Sequence, residues 1–303
     1  MKNLLFCLII GSFLGTLCAQ EDPAPAAPVE PAATEEGRWS DFLPINKEMA
    51  GDADLPLPFG IGVTILNQKQ DMKTNSISVT AINPIVAAID VAVVTGNPLD
   101  PTQSTTIDLT ANKVETDVDA KLLRLDAWVL PFLNVYGIVG EVEGDNKVIG
   151  ASHATSAAVT AALTNFPAIS YEGDVHGIGG ILAFARDRWW ATLDYSYTEA
   201  DLTISASEIT TKTFSPRIGT TGKLGDMNGL IWIGGMHQKV DEKQIGTAPF
   251  GAATVNYDVN QEALKEWNYL LGGSISLSEE LEIAIEAGLG DRESFMGSLS
   301  FRF

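Results

Sequence analysis

The sequence predicts an all-β chain: a transmembrane, antiparallel, up-and-down β-barrel behind a signal peptide and a disordered acidic segment. Three observations predict it. From Phe59 onward, apolar residues alternate with polar or small ones at a period of two. The alternating runs match the roughly 9–11 residues that a tilted membrane strand needs. Aromatic residues gather at run ends, at Trp189, Trp190, Tyr195, Tyr197, Trp267 and Tyr269, where interfacial girdles belong.

Composition narrows the function classes. The 303 residues hold 19 Lys or Arg against 39 Asp or Glu, a formal net charge of −20. Phosphate backbones need a surplus of basic residues, so a nucleic-acid partner is excluded. After the first twenty residues, no stretch stays apolar for the ~18 positions of a helical span. The length allows one large domain or two small ones.

Residues 1–19 read as a secretory signal peptide. Lys2 supplies the positive start, Leu4 to Leu17 an apolar stretch too short to span, and Ala19 the small residue for cleavage. Both cysteines, Cys7 and Cys18, fall inside or beside it, so disulfides and thiol catalysis drop out of the mature chain. A lipid-bearing Cys18 is the competing reading; it wants a small residue just before it, and Leu17 stands there. Residues 20–58 read as a periplasmic linker. Glu21 to Gly37 is rich in Pro, Ala and Glu and cannot bury enough apolar area to order itself. Trp39 to Pro58 is transitional, either a short plug or docking segment or a linker with a few anchoring aromatics.

Residues 59–303 form the barrel domain. The last run sets Phe295, Gly297, Leu299, Phe301 and Phe303 on one face and Met296, Ser298, Ser300 and Arg302 on the other. Leu281, Ile283, Ile285, Ala287 and Leu289 alternate in the same way before it. A soluble sandwich would turn such faces inward; a membrane barrel turns them to lipid and keeps a polar lumen. Run length and girdles select the second. Counting runs between turns gives strands near 59–68, 120–130, 134–143, 173–185, 189–199, 212–223, 229–239, 266–277, 281–290 and 294–303. Ten strands bring both ends to one side. A faint echo between Ala81–Val94 and Trp128–Glu141 would add a hairpin and make twelve; ten is favoured. Short turns belong on the periplasmic side, and long connections near 70–118, 145–171, 200–211 and 241–264 outside.

The inward face then carries Arg124, Asp126, Asp194, Arg217, Lys223, Glu266, Glu282, Glu286 and Arg302. Charges in a narrow barrel must be paired or wet. Wet, they line a narrow passive channel for ions or small solutes with a cation preference. Paired, they plug the lumen of a structural or surface-interaction barrel. No spacing implies a cofactor or a metal site. Gly177-Ile178-Gly179-Gly180 sits in a strand without a following helix and is no phosphate loop. Of the histidines His153, His176 and His237, the last reads as a rim residue.

Two resemblances add to this reading. The ending Ser-Leu-Ser-Phe-Arg-Phe, with Phe301 and Phe303, resembles the C-terminal signature of Gram-negative outer-membrane barrels. It implies an outer-membrane location, recognition by the barrel-assembly machinery, and lipopolysaccharide and lipid as neighbours. Asp117-Val118-Asp119 and Asp174-Val175-His176 resemble the rim residues of the omptin outer-membrane proteases. That would imply water activation by a His base held by Asp. The pattern covers six residues, and the two strands stand only two apart, so a non-enzymatic barrel is the leading expectation. Solute identity and oligomeric state are not legible.

Overall fold

A computed structural model describes residues 43–50, 55–81, 106–109, 111, 113–150, 168–203, 207–225, 227–250 and 253–303. The predicted signal peptide, the linker up to residue 42, residues 82–94 of the predicted extra hairpin, and His153 lie outside the described residues. The described strands are β1 (Phe59–Ala81), β2 (Thr106–Leu109), β3 (Lys113–Leu130), β4 (Leu133–Ile149), β5 (Ile169–Arg186) and β6 (Trp189–Leu202). They continue as β7 (Glu208–Leu224), β8 (Met227–Phe250), β9 (Ala253–Ala263), β10 (Trp267–Ser276), β11 (Leu281–Leu289) and β12 (Arg292–Arg302).

All described pairings are antiparallel, and the sheet closes on itself at two levels. In the lower storey β12 pairs β1 from Gly60↔Arg302 to Gln70↔Arg292, and β10 pairs β8 from Trp267↔His237 to Ile275↔Gly229. With β3 to β7 and β11 this is a ring of ten strands. In the upper storey β9 takes over. It pairs β8 from Asp241↔Glu262 to Phe250↔Ala253 and β1 from Met72↔Ala263 to Ala81↔Val255. That ring has eight strands, because the β11–β12 hairpin stops below it. Closure leaves no free edge at either level, which is what a bilayer requires of strands.

The outer face of the lower storey is apolar. Ile61, Val63, Ile65, Leu125, Val139, Ile178, Phe184, Ile218, Ile233, Ile285 and Leu299 are exposed there. Trp189, Tyr269, Trp267 and Phe303 are exposed at its margins. A large exposed apolar band around a closed ring has to be covered by lipid. Above it the outward positions turn charged, as at Lys69, Asp117, Glu141, Glu143 and Glu172. The rim with the short turns at 131–132, 187–188 and 277–280 also holds both barrel ends, where Phe59 N donates to Phe303 O at 3.1 Å. Ile45 N donates to Val129 O at 2.9 Å there, so the end of the predicted linker is docked on the rim.

Inward-facing aromatics are seated by glycines directly across the ladder. Tyr136 faces Gly179, Trp190 faces Gly219, Trp232 faces Gly272, and Tyr171 faces Gly144. A Cβ built on Gly272 would fall 2.5 Å from the Trp232 ring, and one on Gly179 2.3 Å from the Tyr136 ring. The missing side chains give the rings room to lie flat against the wall. In the upper storey Met72, Val114 and Val240 form one buried cluster, and Ala120, Val142, Tyr171, Ala200 and Leu202 another. An eight-stranded ring is just wide enough for its own side chains.

The structure corrects the expected strand limits above the membrane. The predicted long connections at 200–211 and 241–264 are mostly strand: β7 starts at Glu208, and β8 and β9 form a hairpin. Outside lipid the outward face of the wall is polar and the inward face mixes polar with apolar residues, so apolar alternation weakens while the hydrogen-bond ladder continues.

Candidate functional site

The lower lumen holds a chain of linked charged and polar groups. Arg302 Nη2 on β12 lies 2.7 Å from Asp126 Oδ1 on β3. The two reach each other past Gly60 of the intervening β1, where a Cβ would sit 2.5 Å from Asp126 Oδ2. Asn134 Nδ2 donates to the same Asp126 oxygen at 2.6 Å, and Arg124 Nη2 donates to Asn134 Oδ1 at 3.0 Å. The Arg124 guanidinium stands 3.9 Å over the Tyr136 ring. Tyr136 OH donates to Asp194 at 2.7 Å, and Arg217 Nη1 is 3.6 Å from that carboxylate. Arg217 then forks onto Glu286 through Nε and Nη2, at 2.7 and 2.9 Å. Trp232 Nε1 ends the chain by donating to Glu286 at 2.6 Å.

This layer contains Arg124, Arg217 and Arg302 against Asp126, Asp194 and Glu286, so its charge balances. Glu286 is only 4% exposed, and Arg217 reaches it from three strands away around the ring, β7 to β11. A two-pronged guanidinium–carboxylate pair fixes the geometry of both side chains. The arrangement ties strands on different sides of the ring together.

The other predicted lumen residues fall elsewhere. Glu282 is inward and half-buried, level with Ser300 in the β11–β12 ladder. Lys223 shares the inward parity of Arg217 but is exposed at the end of β7, on the short-turn rim. Glu266 is a correction. It sits in the break between β9 and β10, and its carboxylate is 2.9 Å from His237 Nε2 on the outer face, beside Trp267. Period-two parity does not carry across a break in the ladder, so counting back from β10 misplaced it. The protease-like reading is corrected as well. Asp117 and Asp119 point outward, with Asp117 bound by Lys69 at 2.5 Å and Asp119 by Asn67 at 2.9 Å. His176 is also outward and pairs with Glu199 at 3.2 Å, not with Asp174. These residues decorate the outside wall and do not meet across the mouth. Phe301 and Phe303 face outward at the closing seam, stacked on each other and on Phe59.

Sequence reading missed two interior groups. Arg292 is 1% exposed at the fork where ten strands become eight. It donates to Gln70 Oε1 at 2.8 Å and to Lys265 O at 3.1 Å, pinning the top of β12 under the break before β10. In the neck above, Glu242 is buried and accepts from Asn146 Nδ2 at 2.8 Å, while Thr116 holds the other end of that amide at 2.7 Å. Burial raises the Glu242 pKa above the ordinary carboxyl value, and the nearby Gln261, Asn146 and Gln244 amides oppose it. Of these, Asn146 alone donates in full hydrogen-bond geometry; Gln244 Nε2 and Gln261 Nε2 remain buried without a partner.

A raised folded-state pKa means that the fold binds the Glu242 proton more tightly than the unfolded chain does. The stability this proton supplies is present below the unfolded value near 4.5 and is lost as pH rises through the folded pKa. Glu242→Gln keeps the acceptor for Asn146 and removes the titration. Urea unfolding is expected to show E242Q more stable than wild type, with the difference growing from pH 5 to pH 8. A constant difference across that range would contradict the assignment.

No protein-family model matches the chain, and no characterised protein matches its sequence. Among solved structures, outer membrane protein AlkL in lipid bilayers is similar at 12% identity, over 92% of this chain and 97% of that one, with a TM-score of 0.31. The Ralstonia pickettii toluene transporter TbuX is similar at 10% identity over 82% and 90%, with a TM-score of 0.28. The Pseudomonas putida toluene transporter TodX is similar at 8% over 82% and 88%, with a TM-score of 0.27. At such scores this chain's own geometry has to speak for it. Its closed antiparallel ring and lipid-facing belt are the fold of an outer-membrane barrel. Among the described residues no helix is long and apolar enough to cross a membrane; the crossing elements are strands.

Proposed function

We propose that this chain is an outer-membrane β-barrel whose lumen is shut by the Arg–carboxylate layer, so that it serves as a structural barrel presenting a raised wall outside the membrane. The observation that carries this is the Arg217–Glu286 pair, two-pronged and buried across the lumen. Charges that conduct must stay wet and exchange with ions; here the Glu286 and Asp126 carboxylates are buried and bound to Arg217 and Arg302. The eight-stranded neck supports the same reading. An open, cation-preferring pore is not what this arrangement supports.

A second reading is a narrow channel for small solutes that opens from this state. It is favoured by the neck, where Thr74 Oγ1, Gln244 Nε2 and both polar atoms of the Gln261 side chain are buried without partners, as sites for water would be. Liposomes holding the refolded protein separate the two readings. Swelling in an isosmotic pentose solution is expected to match that of empty liposomes. Swelling clearly above that level would overturn the closed lumen and promote the channel.

A further inference from the structure

The apolar belt is not evenly convex. Across β3 to β7 it dips into a groove of about 1010 Å³. Its floor is made by two outward-facing glycines, Gly137 on β4 and Gly180 on β5. Nothing lies closer than 3.9 Å to a Cβ built on the first, or 3.5 Å on the second. Register explains the walls. Gly137 lies level with Leu125 and Ile178, and Gly180 with Val135 and Tyr195, so each bare position is flanked by large side chains. Phe214 continues the row beyond Tyr195. The groove crosses four strand spacings of about 4.8 Å, roughly 19 Å in all. One leaflet of a bilayer offers about 15 Å of hydrocarbon depth.

One end is chemically distinct. In the row Leu125–Gly137–Ile178–Tyr197–Lys212, the apolar surface gives way to Lys212. The Lys212 ammonium lies 5.9 Å from the centre of the Tyr197 ring, and that ring lines the groove. Lys239 stands beside Lys212 in the ladder and is paired with Asp241 at 3.4 Å. A lipid whose chain filled the groove would therefore place its headgroup beside the Lys212 ammonium.

We propose that the groove is a binding site for one acyl chain of a phosphorylated outer-leaflet lipid, with the phosphate at Lys212. The proposal rests on the belt facing lipid, as the barrel reading holds. Continuity with that belt argues for a lipid occupant, and the charge at the exit argues for a phosphorylated one.

The test uses the full mature chain refolded into nanodiscs with diphosphoryl lipid A as the probe. After mild detergent release, native mass spectrometry counts lipid A per barrel. Wild type is expected to retain one. G137L/G180L, which fills the floor where space is free, is expected to retain about tenfold less, equivalent to ~1.4 kcal/mol. Lys212→Ala is expected to erase the preference for lipid A over its dephosphorylated form, and it keeps the test available if the double variant does not fold. Equal retention by wild type and variants, no retention by wild type, or a dimer lost on G137L/G180L would overturn the proposal. Failure of wild type to enter nanodiscs would instead overturn the membrane reading beneath it.

Discussion

Arg217→Met is expected to destabilise the barrel by roughly 3–5 kcal/mol, the range for removing one partner of a buried ion pair. Glu286, 4% exposed, would lose both of its charged contacts and keep only the Trp232 N–H. Asp194 would lose its nearby guanidinium and keep the Tyr136 hydroxyl. The second variant in this series is R217M/E286Q. It removes the charge from both sides and keeps an acceptor for Trp232. Because a buried pair often exchanges for neutral groups at little net change, most of the lost stability should return. Reversible urea unfolding in lipid vesicles measures both. If the double variant is as unstable as R217M, the penalty is lost packing of the Arg217 stem and not a stranded carboxylate.

Ile285→Arg is expected to cost about 2–4 kcal/mol, the range for a charge on the lipid face near the midplane. Ile285 is 48% exposed, in the middle of the outward row of β11, level with Gly297 and Gly273. Arg at the inward neighbour Ala284 stands two positions from both Glu282 and Glu286 and is expected to cost less. Refolding into lipid compares the pair. Equal tolerance at the two positions would remove lipid from the outer face.

What the sequence made legible follows where lipid is. Inside the belt one face must be apolar and the other polar, so Leu281 to Leu289 and Phe295 to Phe303 announced both their strands and their orientation. The ten crossing strands were found for that reason. Above the belt the contrast weakens. Asn67 and Lys69 alternate with Gln68 and Gln70, polar against polar, and hide the middle of β1. Further up, Ile77 in β1 and Tyr257 and Val259 in β9 do alternate with polar neighbours, but these runs are short and were read as part of long connections. Glu266 was misplaced at a break that only the ladder reveals. The pairing of the charges was beyond reach for another reason. Which Arg meets which carboxylate depends on ring closure, on the bare wall at Gly60, and on strands far apart in sequence. The glycine seats of the inward aromatics were present as residues, but their partners appear only once register is known.

Conductance across a planar bilayer tests the closed lumen most directly. Wild-type protein, inserted and folded, is expected to give no steady current in KCl, while R217S/E286S, which cuts the largest link of the layer, gives openings. Steady single-channel currents from the wild type, unchanged by R217S/E286S, would contradict a lumen closed by that layer.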